Sequence, residues 1–191
     1  MVLPIVKYGH PVLRQKGARI EAITPAITRL IKDMLETMYD ASGIGLAAQQ
    51  VAHAVQLTVI DVREVTERPS TLEIDGQPAD IASLMPLVLI NPELKPLGNS
   101  VPGPEGCLSF PEIFEDIARP EFVEVSALDA TGKRLQFKAG GLLSRAIQHE
   151  TDHLNGILFI DRMPTKTKQA LKPELELLQA DTKAALQKTR T

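Results

Sequence analysis

The chain has 191 residues, of which 43% are apolar and 24% charged. That suits one globular domain with enough apolar material for a core, and excludes disordered, collagen-like and disulfide-scaffold readings. The formal charge of −3 is uneven: residues 164–191 hold six bases (Lys166, Lys168, Lys172, Lys183, Lys188, Arg190) against three acids (Glu174, Glu176, Asp181), which leaves an acidic body with a basic tail.

The first element is a helix. Thr24 can cap it, Pro25 suits its first position, and Ile27, Leu30, Ile31, Met34, Leu35 and Met38 recur at helical spacing until Asp40-Ala41-Ser42-Gly43. A glycine-punctuated apolar stretch, Gly43-Ile44-Gly45-Leu46-Ala47-Ala48, then runs into Gln49-Gln50. Residues 55–62 and 87–90 read as strands. The polar, Pro- and Gly-bearing stretch between them, 63–86, predicts a surface excursion with a short hairpin at Asp75-Gly76. Residues 102–111 carry Pro102, Gly103, Pro104, Gly106 and Pro111, which predicts a tightly turned loop. Residues 122–128 and 134–138 flank Asp129-Ala130-Thr131-Gly132, a hairpin signal. A second helix follows from about Gly141 to Leu154 and stops at Asn155-Gly156. A third starts near Pro173, with Leu175, Leu178 and Leu186 on one stripe. Helix, strands, helix, helix without regular βαβ alternation predicts an α+β fold. No apolar run approaches the ~18–20 residues of a membrane span, and Met1-Val2-Leu3-Pro4-Ile5 lacks a basic region before an apolar one, so a cytoplasmic protein with no membrane partner is expected.

The strongest chemical signal is His149-Glu150-Thr151-Asp152-His153, an H-E-x-x-H inside the second helix. Residues four apart share a helical face, so both imidazoles can reach one cation, while Glu150 sits where it can act on a metal-bound water. Leu142 and Ala146 precede the histidines on that face. A catalytic centre asks for a third protein ligand and an open position. Downstream only Asp161 follows closely, and His10 and His53 lie upstream. The single cysteine, Cys107, is the better candidate, although a lone thiol can equally be a small core residue. An endopeptidase of the H-E-x-x-H type would supply its third ligand downstream, and a silent structural site would close with four ligands; the sequence favours neither.

Three segments together resemble peptide deformylase. Gly43-Ile44-Gly45-Leu46-Ala47-Ala48-Gln49-Gln50, Glu105-Gly106-Cys107-Leu108-Ser109 and Gln148-His149-Glu150-Thr151-Asp152-His153-Leu154 match that family's signatures in order and approximate spacing. The resemblance covers about residues 2–163. It implies small antiparallel sheets around a central metal-binding helix with N- and C-terminal helices, a catalytic domain over residues 1–163, and a basic helical extension of that domain over 164–191. It implies a hydrolase that removes the N-formyl group from formyl-methionine of new polypeptides and releases formate. Cys107, His149 and His153 would bind one divalent ion with water as fourth ligand: Fe2+ by the family's habit, with Zn2+ or Ni2+ able to replace it. Glu150 would move the proton, with the Gln50 amide and the Leu108 backbone N–H as donors to the developing oxyanion. Ile44, Leu142 and Ala146 would line a pocket for the methionine side chain, and Gly45 would let the substrate approach closely. The implied partners are N-formylmethionyl nascent peptides and, through the C-terminal helix, the ribosome; no DNA partner is implied. Three departures stand out, one being that the excursion over residues 63–86 is longer than in compact relatives. The basic residue that many relatives carry a few positions beyond Pro111 is missing until Arg119, and Arg145 stands where relatives often have an apolar pocket residue.

Overall fold

The computed structural model describes residues 1–188. Helix α1 (Pro25–Asp40) begins as the sequence predicts: the Thr24 side chain accepts the Ile27 N–H at 3.3 Å and Pro25 occupies the first turn. Its apolar stripe buries Leu30, Ile31, Met34 and Met38 against strands β1 (Gly45–Ala47) and β2 (Leu57–Ile60). The excursion folds back onto the body. Strands β3 (Ser70–Ile74) and β4 (Gln77–Pro78) form the expected hairpin, with Asp75 and Gly76 both at positive φ, as a tight two-residue turn requires. Residues at the start of β3 dock on the head of the next helix: the Leu142 N–H donates to the Pro69 carbonyl at 3.0 Å and the Leu143 N–H to Ser70 Oγ at 3.0 Å. Gly141 makes this approach possible, since a Cβ there would lie 2.1 Å from the Pro69 carbonyl oxygen.

The main departure from sequence expectation is a long hairpin. Strand β5 spans Leu87–Cys107 and β6 spans Phe110–Leu128, so the Pro- and Gly-rich stretch is extended and turns only after Cys107. Pro102, Gly103 and Pro104 pair in register with Ala118, Ile117 and Asp116. Proline is tolerated because β5 pairs with β2 only over residues 87–90, which leaves the rest of that side as an edge needing no donor. Register shifts after Ile90, Leu97 and Gly106 bend the hairpin. Strand β7 (Arg134–Gly140) completes the hairpin predicted around residues 129–132. Among the described residues the strands pair antiparallel in the order β1-β2-β5-β6-β7-β3-β4.

Helix α2 (Gly141–Leu154) lies within this wrap and is buried at every position from Leu142 to Leu154. It ends at Asn155, with Gly156 at φ 72° turning the chain away. The observed arrangement is the α+β fold that the sequence implies. Beyond it come α3 (Thr165–Ala170), which periodicity does not reveal, and α4 (Lys172–Lys188). Leu175 anchors α4 in a cluster with Leu13, Phe110 and Phe159, while Leu178 and Leu186 are partly covered. Arg190 of the basic tail lies outside the described residues. No described helix is long and apolar enough to cross a membrane.

Candidate active site

Helix α2 fixes two imidazoles on one face, with His149 and His153 ring centroids 5.1 Å apart. The last residue of β5 meets them there. Cys107 Sγ lies 3.2 Å from His153 Nε2, and the donor atoms of Cys107, His149 and His153 all fall within 4.8 Å of one another. His149 Nδ1 is occupied by Glu105 Oε2 at 2.9 Å, which orients the ring and leaves Nε2 as its outward donor. The buried His153 Nδ1 has no hydrogen-bond partner among the described residues. One partly buried thiol and two oriented imidazoles beside a cleft are a donor set that suits a divalent cation with an open coordination position.

The carboxylate behind His149 is itself held by charge. Burial pushes the Glu105 carboxyl up, but hydrogen bonds from His149 and Arg119 outweigh burial and hold its pKa at about 2. Arg119, essentially inaccessible, donates to Glu105 and, through Nη1 at 2.8 Å, to Asp152 Oδ2. Arg162 closes the other side of Asp152. Arg145 donates to Glu105 Oε1 at 2.8 Å and to the carbonyls of Ile117 and Val101. Carboxylates and guanidiniums thus alternate along a buried chain behind the imidazoles.

Glu150 contrasts with Glu105. Burial pushes its carboxyl up to about 7, against the charges of His149 and Arg119, and its Oε2 has no hydrogen-bond partner among the described residues. Gly45 is the reason it fits: a Cβ at that position would lie 2.5 Å from Glu150 Oε1. The room that the sequence reading reserved for substrate is therefore used first by this carboxylate. Gln50 sits opposite, on the 3-10 turn Ala48–Val51 after β1. Its Oε1 accepts the Ala47 N–H at 2.8 Å, so its NH2 faces Cys107 Sγ (3.6 Å) and Ser109 Oγ (3.4 Å).

These groups share a cleft of about 580 Å3. Ile44, Gly45, Gln50, Cys107, Leu108, Leu142, Ala146, His149 and Glu150, all expected from sequence, line it, and His153 stands behind Cys107. The structure adds residues that no motif announces. Lys7, from the N-terminal segment, donates its Nζ to the Leu108 carbonyl at 2.8 Å; Arg68 comes from the excursion; and Phe114, 71% exposed, stands at the rim. Arg119, the first basic residue after Pro111, does not line the cleft, because it is consumed between Glu105 and Asp152. Arg145 does line the cleft, with its guanidinium committed to Glu105 and to backbone carbonyls.

A family model described as polypeptide deformylase matches residues 2–169. The chain belongs to that family. It is 46% identical over 187 residues to a peptide deformylase of Opitutus terrae, covering 97% of each chain, and 48% identical over 176 residues to one of Methylacidiphilum infernorum, covering 92% of each. Among solved structures it resembles a peptide deformylase from Synechococcus elongatus in complex with actinonin (TM-score 0.75, 42% identity, 90% of this chain and 85% of that one). It also resembles one from Legionella pneumophila (TM-score 0.77, 30% identity, 100% and 99%). The enzyme is a hydrolase of protein biosynthesis, which removes the N-formyl group from the formyl-methionine of new polypeptides and releases formate. The family is metal-dependent, and the Cys107-His149-His153 group could hold the metal.

Proposed function

We propose that Cys107, His149 and His153 hold the catalytic ion, and that Glu150 is the proton carrier for hydrolysis of the formyl amide. One observation carries this reading: a sulfur from a strand end and two ring nitrogens from one helix face converge at the cleft, with a buried carboxylate beside them. When bound, a divalent cation supplies Lewis acidity toward a carbonyl oxygen and lowers the pKa of water. Glu150 accepts the proton of the attacking water and returns it to the leaving amine. The Gln50 amide and the Leu108 N–H donate to the oxygen on which negative charge develops; losing one such donor typically costs ~10²–10³ in rate. Ile44, Leu142 and Ala146 offer the methionine side chain an apolar wall, and Gly45 keeps the strand low enough for both Glu150 and the formyl end.

The ion is Fe2+ in this reading, as the family's habit suggests, and Zn2+ or Ni2+ would fit the same donors. Residues 164–191 are an extension of the one domain formed by 1–163, a view supported by Leu175 seated among core residues. The excess of bases over acids in residues 164–191 suits contact with ribosomal RNA as nascent chains emerge in the cytoplasm. Release of free amine from formyl-Met-Ala, with acetyl-Met-Ala inert, tests the reaction. Metal analysis of anaerobically purified protein tests the ion, with iron expected at one per chain. Co-sedimentation with ribosomes, with and without residues 164–191, tests the tail.

A further inference from the structure

The cleft holds three cationic side chains, and two of them already have protein partners. Lys7 donates to the Leu108 carbonyl, and Arg145 to Glu105 and to backbone carbonyls. Arg68 differs. It lines the same cleft, half-buried, yet its guanidinium forms no hydrogen bond or ion pair among the described residues. Its position is not accidental. The next two residues are pinned to the head of α2 through the Pro69 carbonyl and Ser70 Oγ, and Ser70 bridges to Gly141, so the excursion holds Arg68 at the cleft wall.

A guanidinium offers five N–H donors in a rigid fork. Here it is partly desolvated and repelled by the Arg145 guanidinium, and these two effects outweigh the opposing pull of Glu105 and weaken its hold on its proton. A formyl-methionyl peptide brings two kinds of acceptor into such a cleft, its backbone carbonyls and its acidic side chains. Only the acid both fills the fork with two charge-assisted bonds and neutralises the Arg68–Arg145 repulsion. The methionine side chain has its own apolar wall, so the acid must belong to a residue after it.

We propose that Arg68 is a specificity-determining residue that selects formyl-methionyl peptides with Asp or Glu in one of the two positions following methionine. This rests on the deformylase reaction assigned to the cleft. The test compares the metal-loaded enzyme with its Arg68→Glu, Arg68→Gln and Arg68→Lys variants on formyl-Met-Ala-Ala, formyl-Met-Glu-Ala, formyl-Met-Ala-Glu and the two lysine counterparts. All peptides are C-terminally amidated, so that no terminal carboxylate substitutes for the side chain. The readout is the ratio of kcat/KM for Glu over Lys peptides within each protein, which does not depend on the folded fraction. Wild type is expected to favour Glu about fivefold to tenfold, mostly through KM, and to lose the preference at high salt. Arg68→Glu should invert the ratio, Arg68→Gln should bring it near one, and Arg68→Lys should keep its sign. A wild-type ratio of one, or equal ratios in wild type and Arg68→Glu, overturns the proposal. Turnover of the alanine peptide by wild type reports the reaction separately, so failure of the activity and failure of the preference are distinguishable.

Discussion

At the scale of single residues, the active site depends on small spatial allowances. In the proposed mechanism Glu150→Gln removes the proton carrier and no ligand, so it should leave the ion in place and lower turnover by about 10²–10⁴. Metal content by mass spectrometry beside formyl-Met-Ala kinetics checks both halves, and an active variant would refute the role. Gly45→Ala makes a subtler point. Its Cβ would fall 2.5 Å from Glu150 Oε1, so the carboxylate must move while the fold has no reason to change. We expect kcat to fall roughly 10²-fold, the size of effect a displacement of about 1 Å can have on positioned groups. The melting temperature should hardly move. Unchanged kcat would show that the carboxylate has slack. These residues were legible in the sequence because their chemistry is local: two histidines at helical spacing, a glutamate between them, and one cysteine. Arg68 and Lys7 were not, because a cation in a linker reads as solvated until the fold shows what it faces.

At the scale of elements, the buried charge chain joins the β5–β6 hairpin to α2. Arg119 from β6 bridges Glu105 of β5 and Asp152 of α2, and is almost wholly shielded from water. Arg119→Met would leave two buried carboxylates short of a partner, although Arg145, His149 and Arg162 still serve them. We expect a loss of about 3 kcal/mol in urea unfolding, at the lower end for a broken buried pair. A loss below about 1 kcal/mol would mean that the neighbours compensate. The same hairpin shows why local reading failed at 102–106. Proline and glycine signal turns over a few residues, but here the pairing partner is a strand made later in the chain, and an edge position removes the usual objection to proline. The hairpins around residues 75–76 and 129–132 were readable because their turns are local.

At the scale of the whole molecule, the Arg14–Asp161 ion pair helps tie the chain's early segment to its late one. Asp161 receives Arg14 Nη2 at 3.1 Å and the Leu158 N–H at 2.9 Å. Burial raises its pKa, but these bonds outweigh burial and hold it below the usual carboxylate range. A carboxyl depressed in the folded state contributes stability that is complete above its unfolded pKa of about 3.9 and is lost as pH falls through the folded value. Asp161→Asn should therefore lower stability at pH 7 and flatten the decline below about pH 4. Parallel acid limbs in wild type and variant, followed by chemical denaturation, would contradict this. The α+β class was legible from element order, but the closure of residue 14 on residue 161 was not, since nothing in a sequence marks such distant pairs.

One consequence reaches beyond catalysis. The thiol sits at the tip of an arm of two strands, one edge of which pairs with no other strand beyond residue 90 among the described residues, while the imidazoles belong to a rod buried on all sides. An ion shared by all three would act as a rivet between a pliable part and a stiff one. Stripping it with a chelator should quicken amide exchange at residues 103–110 far more than within Gly141–Leu154. Equal protection with and without the ion would mean that the arm stays seated unaided.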